Sequence, residues 1–107
     1  MSEARFTGGE WIVYDGDLRY CKGKVCIIEP DDMPTVIADL NDYFGKDARE
    51  ANAHLIAASP AMYKEIEGEI EWLERLSKKY VIGSYELQGV LSRIQRKREL
   101  LAKARGQ

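Results

Sequence analysis

The chain has 107 residues, about one domain's worth, and a domain of that size buries roughly two-thirds of the surface its unfolded chain exposes, enough for one modest core. Apolar residues make up 45% and Asp, Glu, Lys and Arg 32%, more charge than the roughly 25% of an average domain, so a soluble, folded chain is expected. Sixteen basic against eighteen acidic residues give a net charge of −2, which argues against a wholly basic nucleic-acid or anionic-membrane binder and leaves only local patches.

Residues 1–40 carry short β-rich runs separated by turn signals. Trp11–Tyr14, Leu18–Cys21 and Val25–Ile28 read as three strands of an antiparallel meander, with strands over parts of 10–14, 18–21 and 25–29. Asp15-Gly16 suits a type I′ turn and Gly23-Lys24 a type II′ turn. Pro30 and Pro34, with Asp31 and Asp32 between them, cannot continue a paired strand and predict a loop. Thr35–Leu40 returns as a fourth strand, so the meander has three to four. By strand alternation Trp11 is assigned to the inside of the sheet and Tyr14 to the outside.

From Asp47 the apolar period becomes helical. Asp47 and Glu50 form a capping-box pattern opening a short helix to Ala58, with Ala51, Leu55 and Ala58 as its packing face. Ser59-Pro60 then reads as the cap and first position of a second helix. Its apolar side is Met62, Ile66, Ile70, Leu73, Leu76 and Tyr80, flanked by Tyr63 and Trp72, and Gly83 stops it. Ser84 caps a third helix with the stripe Leu87, Val90, Leu91, Ile94 and Leu101, and residues 103–107 form a polar tail expected to fray. The fold class is therefore α+β in a single domain. An amino-terminal β-meander and loops (1–46) precede the helical part (47–107), a short helix and then an antiparallel helical hairpin in which Ile66, Ile70, Leu73 and Leu76 face Leu87, Val90, Leu91 and Ile94. The apolar face of the second helix is wide, and either its neighbours in the chain or a homodimer through the helices would cover it.

Charge separates along the chain. Residues 1–58 hold eleven acidic and six basic side chains, while residues 83–107 hold two and six. In an antiparallel hairpin, Glu65 would lie near Arg98 and Glu67 near Arg96, pairs that contribute about 0.2–1 kcal/mol each but select register. The alternative use of Arg93, Arg96, Lys97 and Arg98 is a docking patch for phosphate or an acidic partner.

The familiar catalytic and metal patterns fail on inspection. Cys21 and Cys26 flank the Gly23-Lys24 turn and read as reduced cross-strand neighbours, since zinc would need two further ligands and the only His, His54, lies far along the chain. No nucleophile motif accompanies His54, so packing or partial exposure is its expected role. Asp39–Glu50 imitates a twelve-residue calcium loop, yet Phe44 stands where the turn requires Gly. Gly8-Gly9 has neither the spacing nor the Lys-Ser/Thr of a phosphate-cradling loop. No catalytic residue, metal or cofactor is expected. The longest apolar runs are four residues, against the roughly twenty of a spanning helix, and the mixed-charge amino terminus does not read as a signal peptide. A cytoplasmic protein with no membrane partner is expected.

Glu50-Ala51-Asn52-Ala53-His54-Leu55-Ile56-Ala57-Ala58-Ser59-Pro60 resembles the E-A-N-A-x-L-I-A-A-x-P motif of small tailed-phage and prophage accessory proteins. Gly9-Glu10-Trp11-Ile12-Val13 is similar to their G-P-W-x-V opening, with Glu10 where Pro is common, and Leu91–Ile94 and Leu101–Gly106 are similar to their closing helix. The resemblance carries no catalytic residues. It implies a protein acting in the host cytoplasm that binds and inhibits or redirects a host protein, an anti-CRISPR or other anti-defence factor among the forms this takes. The candidate partner-binding residues are Tyr14, Asp31, Asp32, Trp72, Arg93, Arg96 and Lys97. The alternative is a small-ligand or nucleic-acid binder using the basic third helix.

Overall fold

A computed structural model describes residues 6–28 and 33–107. Three strands, β1 (Ile12–Val13), β2 (Val25–Ile28) and β3 (Pro34–Ala38), are followed by two helices, α1 (Lys46–Ser77) and α2 (Tyr85–Ala104). The strands form one antiparallel sheet in the order β1-β2-β3, so the chain is α+β. It divides into two compact units, an amino-terminal one of Thr7–Ala61 and a carboxy-terminal one in which Phe6 joins Met62–Gln107.

In the amino-terminal unit β1 pairs directly with β2, Ile12 opposite Cys26 and Val13 opposite Val25. Tyr14 N–H donates to Lys24 O at 3.0 Å and Gly23 N–H to Tyr14 O at 2.9 Å, which carries the pairing two residues further. The expected strand over 18–21 does not form. Those residues belong to turns in which Cys21 N–H reaches Leu18 O and Lys24 N–H reaches Cys21 O, both at 3.0 Å. β1 pairs directly with β2, in the place that the meander gave to Leu18–Cys21, which instead form turns in the connection. Gly16 lacks the positive φ of a type I′ turn, and residues 15–22 form one connection rather than the end of one hairpin and the strand of a second. The expected fourth strand is present as the third, and it starts at Pro34, where a missing N–H is tolerated because Pro is its first residue. One extra residue bulges β3 between the partners of Val25 and Cys26.

The unit buries Cys21, Val25, Cys26 and Ala53. Trp11 and Tyr14, expected on opposite sides, are both half-buried. Helix α1 opens one residue ahead of Asp47, with Arg49 N–H on Gly45 O at 3.1 Å, so Asp47 sits in the first turn instead of capping it. A carboxylate there still favours the positive end of the helix dipole. The inward stripe of this part of α1 is Ala53, Ile56, Ala57 and Pro60, whereas Leu55 and Ala51 are exposed.

The largest departure is at Ser59-Pro60. A single helix runs through both residues. Proline has no N–H for the carbonyl four residues back, a defect worth roughly 3 kcal/mol in a helix interior. Here that carbonyl belongs to Ile56, and the Ser59 hydroxyl donates to it at 2.7 Å. Ser59 therefore supplies, from within the helix, the hydrogen bond that Pro60 cannot, instead of capping a new one.

In the carboxy-terminal unit Tyr63, Ile70 and Leu73 of α1 share a core with Val90, Ile94 and Leu101 of α2, flanked by Phe6, Ile66 and Leu76. The Phe6 and Tyr63 rings meet edge to face at 5.2 Å. Arg105, just past the end of α2, donates to the Tyr63 hydroxyl at 2.8 Å, while Arg98 bonds Glu74 near the end of α1. The two helices therefore run antiparallel. The interface is displaced from the expected one: Tyr63 and Leu101 join it, Met62 and Leu91 turn outward, and Trp72 is 53% exposed. Helix α1 ends at Ser77 rather than at Gly83, the Ser77 hydroxyl bonding Glu74 O at 2.6 Å. Gly83 adopts φ +81, and Ser84 caps α2 as expected, its side chain accepting from Leu87 N–H at 3.2 Å.

Lys97 pairs with Glu69 at 3.1 Å and Arg98 with Glu74, in place of the expected Glu67 with Arg96 and Glu65 with Arg98. Side chains lean toward their own helix's amino terminus, which in α2 is the hairpin turn, so Arg98 reaches the glutamate nearer that turn. The polar tail read as fraying closes α2. Gly106 N–H bonds Lys103 O at 3.0 Å, Gln107 N–H bonds Ala102 O at 2.9 Å, and Gly106 takes φ +82. This is the paired-bond Schellman ending.

The Ser59 and Pro60 roles are coupled. Ser59→Ala is expected to cost about 1 kcal/mol, since it removes one hydrogen bond. In a Pro60→Ala background a backbone N–H is restored, and the same change costs close to nothing. Urea unfolding of the two single variants and the double variant measures the difference, and equal costs in both backgrounds would contradict the assignment.

Candidate functional site

The candidate partner-binding residues fall in different units. Tyr14 belongs to the amino-terminal unit, where it is half-buried, whereas Trp72, Arg93, Arg96 and Lys97 belong to the carboxy-terminal unit. Asp31 and Asp32 lie outside the described residues. Within the basic cluster, Lys97 and Arg98 are taken up by Glu69 and Glu74, which leaves Arg93 and Arg96 as its exposed cations without an ion pair among the described residues.

Two features stand out beyond those residues. The first is the turn of the helical hairpin. Val81, Ile82 and Tyr85 are 76%, 93% and 91% exposed, and exposed Arg75, Lys78 and Lys79 precede them. Their placement is fixed from behind. Lys79 N–H bonds Leu76 O at 3.0 Å, Ser84 N–H bonds Val81 O at 3.0 Å, and the Ser84 cap follows. The sequence carried a signal for it, an uncharged Tyr80–Tyr85 segment beside the Gly83-Ser84 turn, but the apolar residues read equally well as the end of a buried stripe.

The second feature is a cavity of about 390 Å³ in the amino-terminal unit, lined by Val13, Tyr14 and Asp15 after β1, by Lys22 and Gly23 before β2, and by Lys46, Arg49, Glu50 and His54 of α1. Lys46, Glu50 and His54 follow one another at four-residue spacing along one ridge of the helix, with Lys46 and Glu50 paired at 3.9 Å. Arg49 is half-buried, and among the described residues neither its guanidinium nor the Lys22 ammonium has an acceptor. The Tyr14 ring lies over Gly16, so closely that a Cβ there would strike its hydroxyl. His54, expected to pack or be partly exposed, is exposed at this cavity.

The cysteines are neighbours, though not across a strand pair. Cys26 of β2 lies opposite Ile12 and Val36, and its thiol reaches toward Cys21 O in the preceding turn at 4.0 Å. Both are free and buried. Lys24 stands 3.8 Å above the Tyr20 ring and pairs with Asp39 at 3.3 Å, so the first position of the calcium-like stretch serves a local ion pair. Among the described residues no group of three or more His, Cys, Asp or Glu could hold a metal ion, and no helix is long and apolar enough to cross a membrane.

A family model for the Salmonella phage P22 protein Y8K6 matches residues 1–107. No curated protein matches the chain, and no solved structure does.

Burial pushes the Cys26 thiol upward, the neighbouring Cys21 adds to the effect, and the Lys24 cation opposes it. The folded chain thus holds this proton to higher pH than the unfolded chain does. The stability linked to it is fully present below the unfolded thiol's value of about 8.5 and is lost as pH rises through the folded one. Iodoacetamide should alkylate Cys26 more slowly in the native chain than in urea, with its rate-against-pH curve displaced upward. Alkylation at the unfolded rate and the unfolded pH dependence would contradict this environment.

Proposed function

The chain belongs to the family of the Salmonella phage P22 protein Y8K6, and from that phage membership we propose a non-enzymatic interaction protein that inhibits or redirects a host protein by occupying its surface. The observation that carries this reading is the hairpin tip. Fully burying an apolar side chain such as Val or Ile contributes roughly 1.5–3 kcal/mol, and a folded protein that holds three large apolar residues out on a braced turn forgoes that gain until something covers them. Lys78 and Lys79 beside them favour a partner whose apolar pocket has an acidic rim. Trp72, half-exposed on α1, is a further anchor of the residue type that dominates interface energetics. An anti-defence role, an anti-CRISPR among its forms, fits this mode of action because such a factor needs a surface and no reaction.

The alternative, a small-ligand or nucleic-acid binder on the third helix, retains only Arg93 and Arg96 as unpaired cations of its four-residue cluster. Two phosphate contacts give a salt slope of only about −1.8 on a duplex, too shallow for tight binding at physiological salt. A homodimer through the helices is a competing way of covering exposed Met62, Trp72, Leu91 and Leu100.

Affinity capture from host lysate with the wild-type chain and with Ile82→Asp/Tyr85→Ser tests the reading. A host protein retained by the wild type should be lost by the variant, while circular dichroism leaves the helical content unchanged. Equal retention by both would remove the tip as the binding surface. Steeply salt-dependent binding to RNA or DNA would favour the alternative, and a dimer in sedimentation that survives the tip substitutions would place self-association on the helix faces.

A further inference from the structure

The cavity of the amino-terminal unit has a charge pattern that the hairpin tip does not explain. Lys22, Lys46 and Arg49 face Asp15 and Glu50, and because Lys46 and Glu50 already pair with each other, the cations left without acceptors are Lys22 and Arg49. The Arg49 guanidinium, open to solvent and without an acceptor among the described residues, is available for a ligand's charge-assisted hydrogen bonds. Its planar fork matches the oxygens of a phosphate better than a point charge does.

The remaining walls narrow the ligand. Val13 is apolar, Tyr14 lines the same space, and the Tyr14 ring lies where a side chain at residue 16 would strike it. Substituting any side chain at Gly16 would drive that ring from its place. Asp15 and Glu50 at the same cavity repel a dense polyanion and accept hydrogen bonds from ligand hydroxyl or amino groups. The volume, about 390 Å³, lies within the roughly 300–1,000 Å³ of small-molecule sites. We propose that this cavity binds a small phosphate monoester carrying a planar ring, of mononucleotide size, with Arg49 and Lys22 on the phosphate and Tyr14 against the ring.

Calorimetric titration of the full chain with adenosine 5′-monophosphate, adenosine and sodium phosphate as separate probes tests this. The monophosphate should bind saturably and more tightly than either adenosine or phosphate, since neither half engages both the cations and the ring. Arg49→Ala and Lys22→Ala should each weaken it about tenfold, the loss of one charge-assisted contact. Arg93→Ala, on α2, should leave it unchanged. If Arg49→Ala disturbs the fold by circular dichroism, the exposed Lys22 position decides. The proposal is overturned if the monophosphate does not saturate, if phosphate alone binds equally well, or if Arg93→Ala weakens binding as much as Lys22→Ala.

Discussion

The Ser59 hydroxyl on the Ile56 carbonyl offsets part of the cost of a proline inside helix α1. Without it, Pro60 would leave an unpaired acceptor in the middle of a 32-residue helix, and a proline interior to a helix ordinarily kinks or ends it. Because the helix continues, residues 46–61 supply Ala53 and the cavity-lining Arg49 to the amino-terminal unit, while residues 62–77 supply Tyr63, Ile70 and Leu73 to the hairpin core. A single helix thus contributes to two separate sets of buried residues.

Part of the hairpin's charge is taken up within it. Lys97 and Arg98 lie against Glu69 and Glu74, and Arg105 is bound to Tyr63 and to Gln107. Exposed pairs of this kind contribute little to stability, but they fix which residues of α1 and α2 lie side by side. They also take up Lys97 and Arg98 of a segment that looks like a phosphate-binding patch and leave Arg93 and Arg96 without an ion pair among the described residues. The same core leaves the turn beyond it bare, since α1 stops at Ser77 and Val81, Ile82 and Tyr85 extend past the last buried layer.

The two units therefore present different chemistry. The carboxy-terminal unit offers a braced apolar knob with a basic shoulder, suited to a protein pocket. The amino-terminal unit offers a small concave space lined by Tyr14 and by Arg49, whose guanidinium has no acceptor among the described residues. The functional reading for this member of a phage protein family rests on those two surfaces.

The α+β class, the Ser84 cap, the Gly83 turn and the antiparallel return of α2 were all determined by residues close together in the chain, because capping, φ preference and helical period act over a few residues. Features that depend on what stands opposite were decided only by the tertiary structure. Ser59-Pro60 can begin a helix or lie within one, and the difference rests on whether the segments on both sides find buried partners. Leu18–Cys21 has the composition of a strand, but β1 pairs directly with β2 in the place that the meander gave to it, and the segment forms turns instead. Arg98 could reach several glutamates of α1, and the lean of its side chain toward the turn selected Glu74. The cavity was invisible in the sequence for the same reason: Tyr14, Lys22 and Arg49 are separated by loops and a sheet, and only the folded chain brings them together.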